Sequence, residues 1–125
     1  MPTPKINLLP SKLDLALYAG DGASVLLEVT DNAGVELALL PGVVNAQIKA
    51  HRLDADPLVE FNTDFFDEFP GKVLLTLNGE QTASLITDEE VFKGVWDVQW
   101  VAENLDPVTL AQGKVEVDAD VTRTD

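Results

Sequence analysis

Cysteine is absent from all 125 positions, which excludes a disulfide framework, a thiolate zinc site and a cysteine nucleophile. It leaves the cellular compartment open. Basic side chains are scarce: 8 Lys and Arg stand against 22 Asp and Glu, a net charge of −14. A protein that binds a nucleic acid duplex needs cations to displace counterions from the phosphates, so that class is excluded, and binding to an anionic membrane surface goes with it. No apolar run approaches the roughly 20 residues of a membrane span. The opening stretch, MPTPKINLLPSK, lacks a continuous apolar segment and is broken by prolines. It is therefore not read as a signal peptide but as an extended arm over residues 1–12.

What is present is a chain of single-domain length with 46% hydrophobic residues and a mean hydropathy of +0.07. That is enough apolar material for one real core. From Leu13 onward the dominant pattern is period-two alternation bounded by turn residues. LDLALY puts Leu13, Leu15 and Leu17 on one side of a strand, and Gly20-Asp21-Gly22 ends it. ASVLLEVT follows, with Val25, Leu27 and Val29 sharing a face, and DNAG at 31–34 predicts a hairpin turn into VELALL. VVNAQIKA, LVEFN and KVLLTL are further strands, with the polar link HRLDADP and the irregular stretch TDFFDEFPG between them. In NGEQTASLI the period changes. Asn78 can cap, Gln81 stands where a capping box needs it, and a two-turn helix follows. GVWDVQWV and VTLAQGKVEVD form a last pair, with Gly113 suggesting a bulge. About eight short strands at this spacing, one short helix and no internal repeat predict an all-β sandwich, with a closed barrel as its competitor. The sandwich occupies residues 13–123, with 124–125 as a tail.

Nothing in the sequence forms a catalytic, cofactor or metal motif. The lone histidine, His51, lies at a strand end before a polar loop, and no serine sits in a G-x-S-x-G elbow. Asp54, Asp56, Asp64, Asp67 and Glu68 crowd the loops, but the order of an EF-hand is missing. GDGAS lacks the third glycine and the lysine of a phosphate-cradling loop and reads as a turn.

The aromatics carry the functional question. In GVWDVQW, residues Trp96, Val98 and Trp100 share one strand face and Asp97 and Gln99 the other. A sugar-binding shelf would set polar partners beside exposed rings. Here a valine lies between the rings, so Trp96 and Trp100 are read as core aromatics. In DFFDEFPG, by contrast, Phe65, Phe66 and Phe69 show no clear alternation and are surrounded by acids. Either they fold back over one end of the sandwich, or they form an aromatic anchor edged by negative charge for a partner with a basic rim.

LDLALYAGD, GEQTASL, GVWDVQW and GKVEVDADVTR, occurring in that order, resemble the small immunoglobulin-like β-sandwich domains of minor tail and baseplate proteins of long-tailed bacteriophages. They are also similar to the N-terminal domain of upper baseplate proteins. The resemblance covers roughly Leu13 to Arg123. It implies an immunoglobulin-like fold and a non-enzymatic virion part, in the particle and in the host cytoplasm during assembly. Its implied partners are copies of itself and other virion proteins in a symmetric assembly, with no cofactor. The candidate contacts are Pro4, Ile6, Leu8 and Leu9 in the arm, the three phenylalanines, and Val121 and Arg123 at the C-terminal end of the sandwich. A capsid decoration protein is the second virion reading, and a carbohydrate-binding module the reading from another class.

Overall fold

The computed structural model describes residues 11–30, 33–87, 90–102 and 106–119. The strands are β1 (Ser11–Lys12), β2 (Leu15–Tyr18), β3 (Ala23–Glu28), β4 (Val43–Lys49), β5 (Val59–Glu60), β6 (Asn62–Phe65), β7 (Lys72–Leu77), β8 (Val91–Val101) and β9 (Val108–Asp118). One helix, α1 (Gly79–Ser84), lies between β7 and β8. The larger sheet runs β1-β9-β8-β4-β5, with β2 also on β9, and the smaller runs β3-β7-β6. All pairings are antiparallel except those of β1 and β2, which lie parallel to β9.

Alternation does what the sequence implies. In β4 and β7 every second residue is buried, which sends Val44, Ala46 and Ile48 from one sheet to meet Val73, Leu75 and Leu77 from the other. Leu39, Val98, Val115 and Val117 complete the centre of this interior. Phe61 carries the chain from one sheet to the other. Its N–H donates to the Ala46 carbonyl at 2.9 Å, and its ring lies 5.8 Å from Trp96 at an angle of 50°.

The helix starts as its residues dictate. Gln81 N–H donates to Asn78 Oδ1 and Asn78 N–H to Gln81 Oε1, each at 2.8 Å, closing a capping box. Thr82, fully buried, ties α1 to the turn between β2 and β3: it accepts from Gly20 N–H at 3.0 Å and lies 2.8 Å from the Asp21 carbonyl. GDGAS is thus a turn clamped by the helix.

Four expectations need correction. The paired chain starts at Ser11, two residues inside the expected arm, because Ser11 and Lys12 register against Ala111 and Gln112. VELALL makes only one isolated bridge, Thr30 to Glu36. It crosses between the sheets instead, with Leu37 N–H on the Val29 carbonyl and Leu39 N–H on the Pro70 carbonyl. The start of TDFFDEFPG is not irregular, since Asn62–Phe65 pairs with β7. The bulge in β9 lies between Thr109 and Ala111, where the register against Gln99 and Val98 shifts, and Gly113 is regularly paired with Trp96.

Candidate functional site

Both indoles are inside the sandwich, Trp96 at 2% exposure and Trp100 at 3%. Each spends its N–H on a backbone carbonyl: Trp96 on Leu13 at 2.7 Å and Trp100 on Leu39 at 3.0 Å. Each of these carbonyls lies close to a glycine. A Cβ on Gly113 would collide with the Leu13 carbonyl, and one on Gly42 would sit 2.6 Å from the Trp100 indole nitrogen. β8 therefore offers no aromatic shelf; its rings hold backbone.

The outer surface carries the chemistry instead. Directly opposed residues share a face, so the pairings of β4, β8 and β9 align Gln47, Asp97 and Gln112 in one outward row and Lys49, Val95 and Lys114 in the next. Lys12 on β1 extends the first row past Gln112. Arg52 enters from the turn after β4. Val95, Gln112, Gly113, Lys12, Arg52 and Lys114 line a hollow of about 330 Å³ here. A narrower cleft of about 40 Å³ continues towards Gln47, Lys49 and Asp97. Asp14 also borders the hollow, but its carboxylate already accepts from Lys114 N–H at 2.9 Å. Lys12, Lys49, Arg52 and Lys114 are four of the chain's 8 basic residues. They gather around two carboxylates, Asp14 and Asp97, in a molecule that is otherwise strongly acidic. In such a field this is where a negative group would be drawn.

On the other sheet, the loop between β6 and β7 presents the phenylalanines. Phe65 packs partly against the core, whereas Phe66 is 38% and Phe69 43% exposed. Lys72 Nζ stands 4.2 Å above the Phe69 ring. Phe65 thus covers the core, while Phe66 stands out beside exposed Asp67 and Glu68. Its base is fixed by Gly71 N–H, which donates to Glu36 Oε1 at 2.6 Å. A third depression, between α1 and the β5–β6 crossing, is open and polar, and Gln81 there is already bonded to the Glu60 carbonyl at 2.9 Å.

The remaining sequence candidates are dispersed. His51 is exposed, in a turn where its N–H donates to Asp54 Oδ2 at 3.1 Å. Among the described residues no group of three or more His, Asp or Glu could hold a metal ion, and no helix is long and apolar enough to cross a membrane. Pro4, Ile6, Leu8, Leu9, Val121 and Arg123 lie outside the described residues.

No protein-family model matches this chain, and no curated protein matches it significantly. Among solved structures it is similar to a titin I27 domain mutant, with a TM-score of 0.46 and 14% identity over 98% of this chain and 97% of that one. It is also similar to the ZIG-8–RIG-5 IG1–IG1 heterodimer, with a TM-score of 0.46 and 11% identity over 94% and 90%. Likeness at this level says nothing about ligand or partner. The strand order is more informative: two sheets, a first strand laid parallel on the last, and chain crossings after β2, β3, β5 and β7. The chain is an immunoglobulin-like β-sandwich. In this sandwich the basic hollow lies on the outward face of the larger sheet and the phenylalanine loop on the smaller. Sequence reasoning missed the hollow because its cations, at positions 12, 52 and 114, come from three separate segments.

Proposed function

We propose that this chain is a non-enzymatic structural component of a bacteriophage virion, a minor tail or baseplate protein that acts through protein–protein contacts. The observation that carries this reading is the division between a sealed interior and a chemically polarised exterior. Both indoles are consumed in holding backbone. The outside displays a basic hollow on one sheet and an exposed aromatic loop with acids on the other. Such a surface is equipped for partners, and the order of the four sequence stretches that resemble phage tail domains gives those partners their class. The carbohydrate-binding alternative loses its basis, because the rings it needs are buried.

The test is immunogold labelling and mass spectrometry of purified particles of the phage that encodes the chain. Gold at the tail tip supports the proposal. Gold over the head replaces it with a capsid decoration role. Particles free of the protein overturn it.

A further inference from the structure

The hollow and the loop are complementary to each other, which bears on the identity of one partner. The hollow is lined by Val95 and Gly113 together with three cations, Lys12, Arg52 and Lys114, against one carboxylate, Asp14, which is already bonded to Lys114 N–H. The loop offers the ring of Phe66, 38% exposed, followed directly by the exposed carboxylates of Asp67 and Glu68. An apolar group followed by two negative charges is what a lining that combines an apolar side chain with an excess of cations would accept. The two features belong to different sheets, since the loop joins β6 to β7 while the hollow lies on the outward face of β1, β9 and β8. From the geometry we infer that the occupant of the hollow is the Phe66–Glu68 loop of a second copy of this chain.

The charge balance restricts where a second copy can touch. With 22 acidic residues in the chain and half of its 8 basic ones gathered here, two molecules repel each other except where this face meets an acidic surface. Because donor and acceptor surfaces differ, the contact is heterologous. In a pair, one copy keeps a free loop and the other a free hollow, and repetition makes a closed ring or an open file. This deepens the virion reading by naming a partner, and it is tested apart from it.

The experiment is sedimentation of the full chain from about 1 μM to about 1 mM, at low salt and at about 1 M salt, where the screening length falls to about 3 Å. Two charge-reversed variants accompany it: Arg52→Glu with Lys114→Glu, and Asp67→Lys with Glu68→Lys. All four residues are exposed, and near-UV circular dichroism of the buried tryptophans verifies folding. The wild type is expected to associate with concentration and to dissociate at high salt. Each variant alone is expected to lose about tenfold or more in apparent affinity, and an equimolar mixture of the two to regain it, because reversed hollow meets reversed loop. A wild type that stays monomeric at low salt overturns the inference. So do variants that associate like the wild type, or a mixture that stays monomeric. A chain found in particles but monomeric in solution sinks this pairing and leaves the virion reading intact; one that associates but is missing from particles does the reverse.

Discussion

Trp96 and Trp100 occupy the same face of β8 and form the same kind of bond, yet they secure regions of different character. Trp100 reaches the Leu39 carbonyl in a buried setting, and that carbonyl also accepts from Gly42 N–H at 2.9 Å. Leu39 itself is fully buried, so this connection is a plug in the centre of the sandwich. Trp96 reaches the Leu13 carbonyl near the edge, where the Leu13 side chain is 41% exposed and only β1 and β2 lie beyond β9. One bond is internal to the core, and the other fastens an outer strand to it. Burial of the surroundings, more than the donor–acceptor pair, sets what each is worth.

The comparison can be broken most forcefully at Trp100. Trp100→Ala removes a large buried ring and is expected to cost about 3–5 kcal/mol, a large share of the total for a domain of this size. Urea unfolding monitored by the remaining tryptophan measures it. The two glycines come next. At Gly42 an added Cβ meets the backbone oxygens of Val101 and Leu39 at 2.7 and 2.8 Å, which have little room to retreat. Gly42→Ala is expected to cost about 2–3 kcal/mol and to speed hydrogen exchange throughout the core. Gly113→Ala meets the Leu13 backbone more closely still, but that segment lies at the sheet edge and can yield, so about 1–2 kcal/mol is expected. Its exchange effect should be confined to amides that bind β1 and β2 to β9, such as Leu13 and Ala19. If both variants loosen the same amides, the two regions are one cooperative unit and the distinction fails.

Trp96→Phe sharpens it further. The bond it abandons is only partly buried, so the lost bond and the small cavity left by the narrower ring are together expected to cost about 1–2 kcal/mol; a cost equal to that of Trp100→Ala would contradict the placement of this bond at the sheet edge. Smallest of all, Lys72→Ala removes the cation above Phe69 and should change stability by no more than about 0.5–1 kcal/mol.

Much of this was readable in advance for a local reason. Inward and outward faces follow from alternation within a strand, so the orientation of Trp96, Val98 and Trp100 was available from seven consecutive letters. The capping box of Asn78 and Gln81 is equally local. What escaped was set by neighbours. The short alternation of Asn62 and Asp64 outward with Thr63 and Phe65 inward was masked by the Phe66–Phe69 run that follows it. VELALL has strand-like composition, but the main chain of Leu39 bonds to Pro70 instead of extending a ladder. The hollow depends on β9 lying between β1 and β8, and on β4 lying beyond β8. Alternation assigns a residue to a face without naming the strand beside it, so cations so widely separated in the chain could not be joined on paper.

The parallel placement of β1 and β2 on β9 has a mechanical consequence. The register is the same on both sides of the break between them, with Ser11 opposite Ala111 and Tyr18 opposite Asp118. Ser11 therefore lies towards one pole and Asp118 at the other, separated by about 23 Å along the strand. A pull applied through those two points draws β1 and β2 lengthwise against β9. Their cross-strand bonds then bear the force together in shear and cannot be opened one by one from an end, which gives the edge of this sheet the resistance of a lap joint.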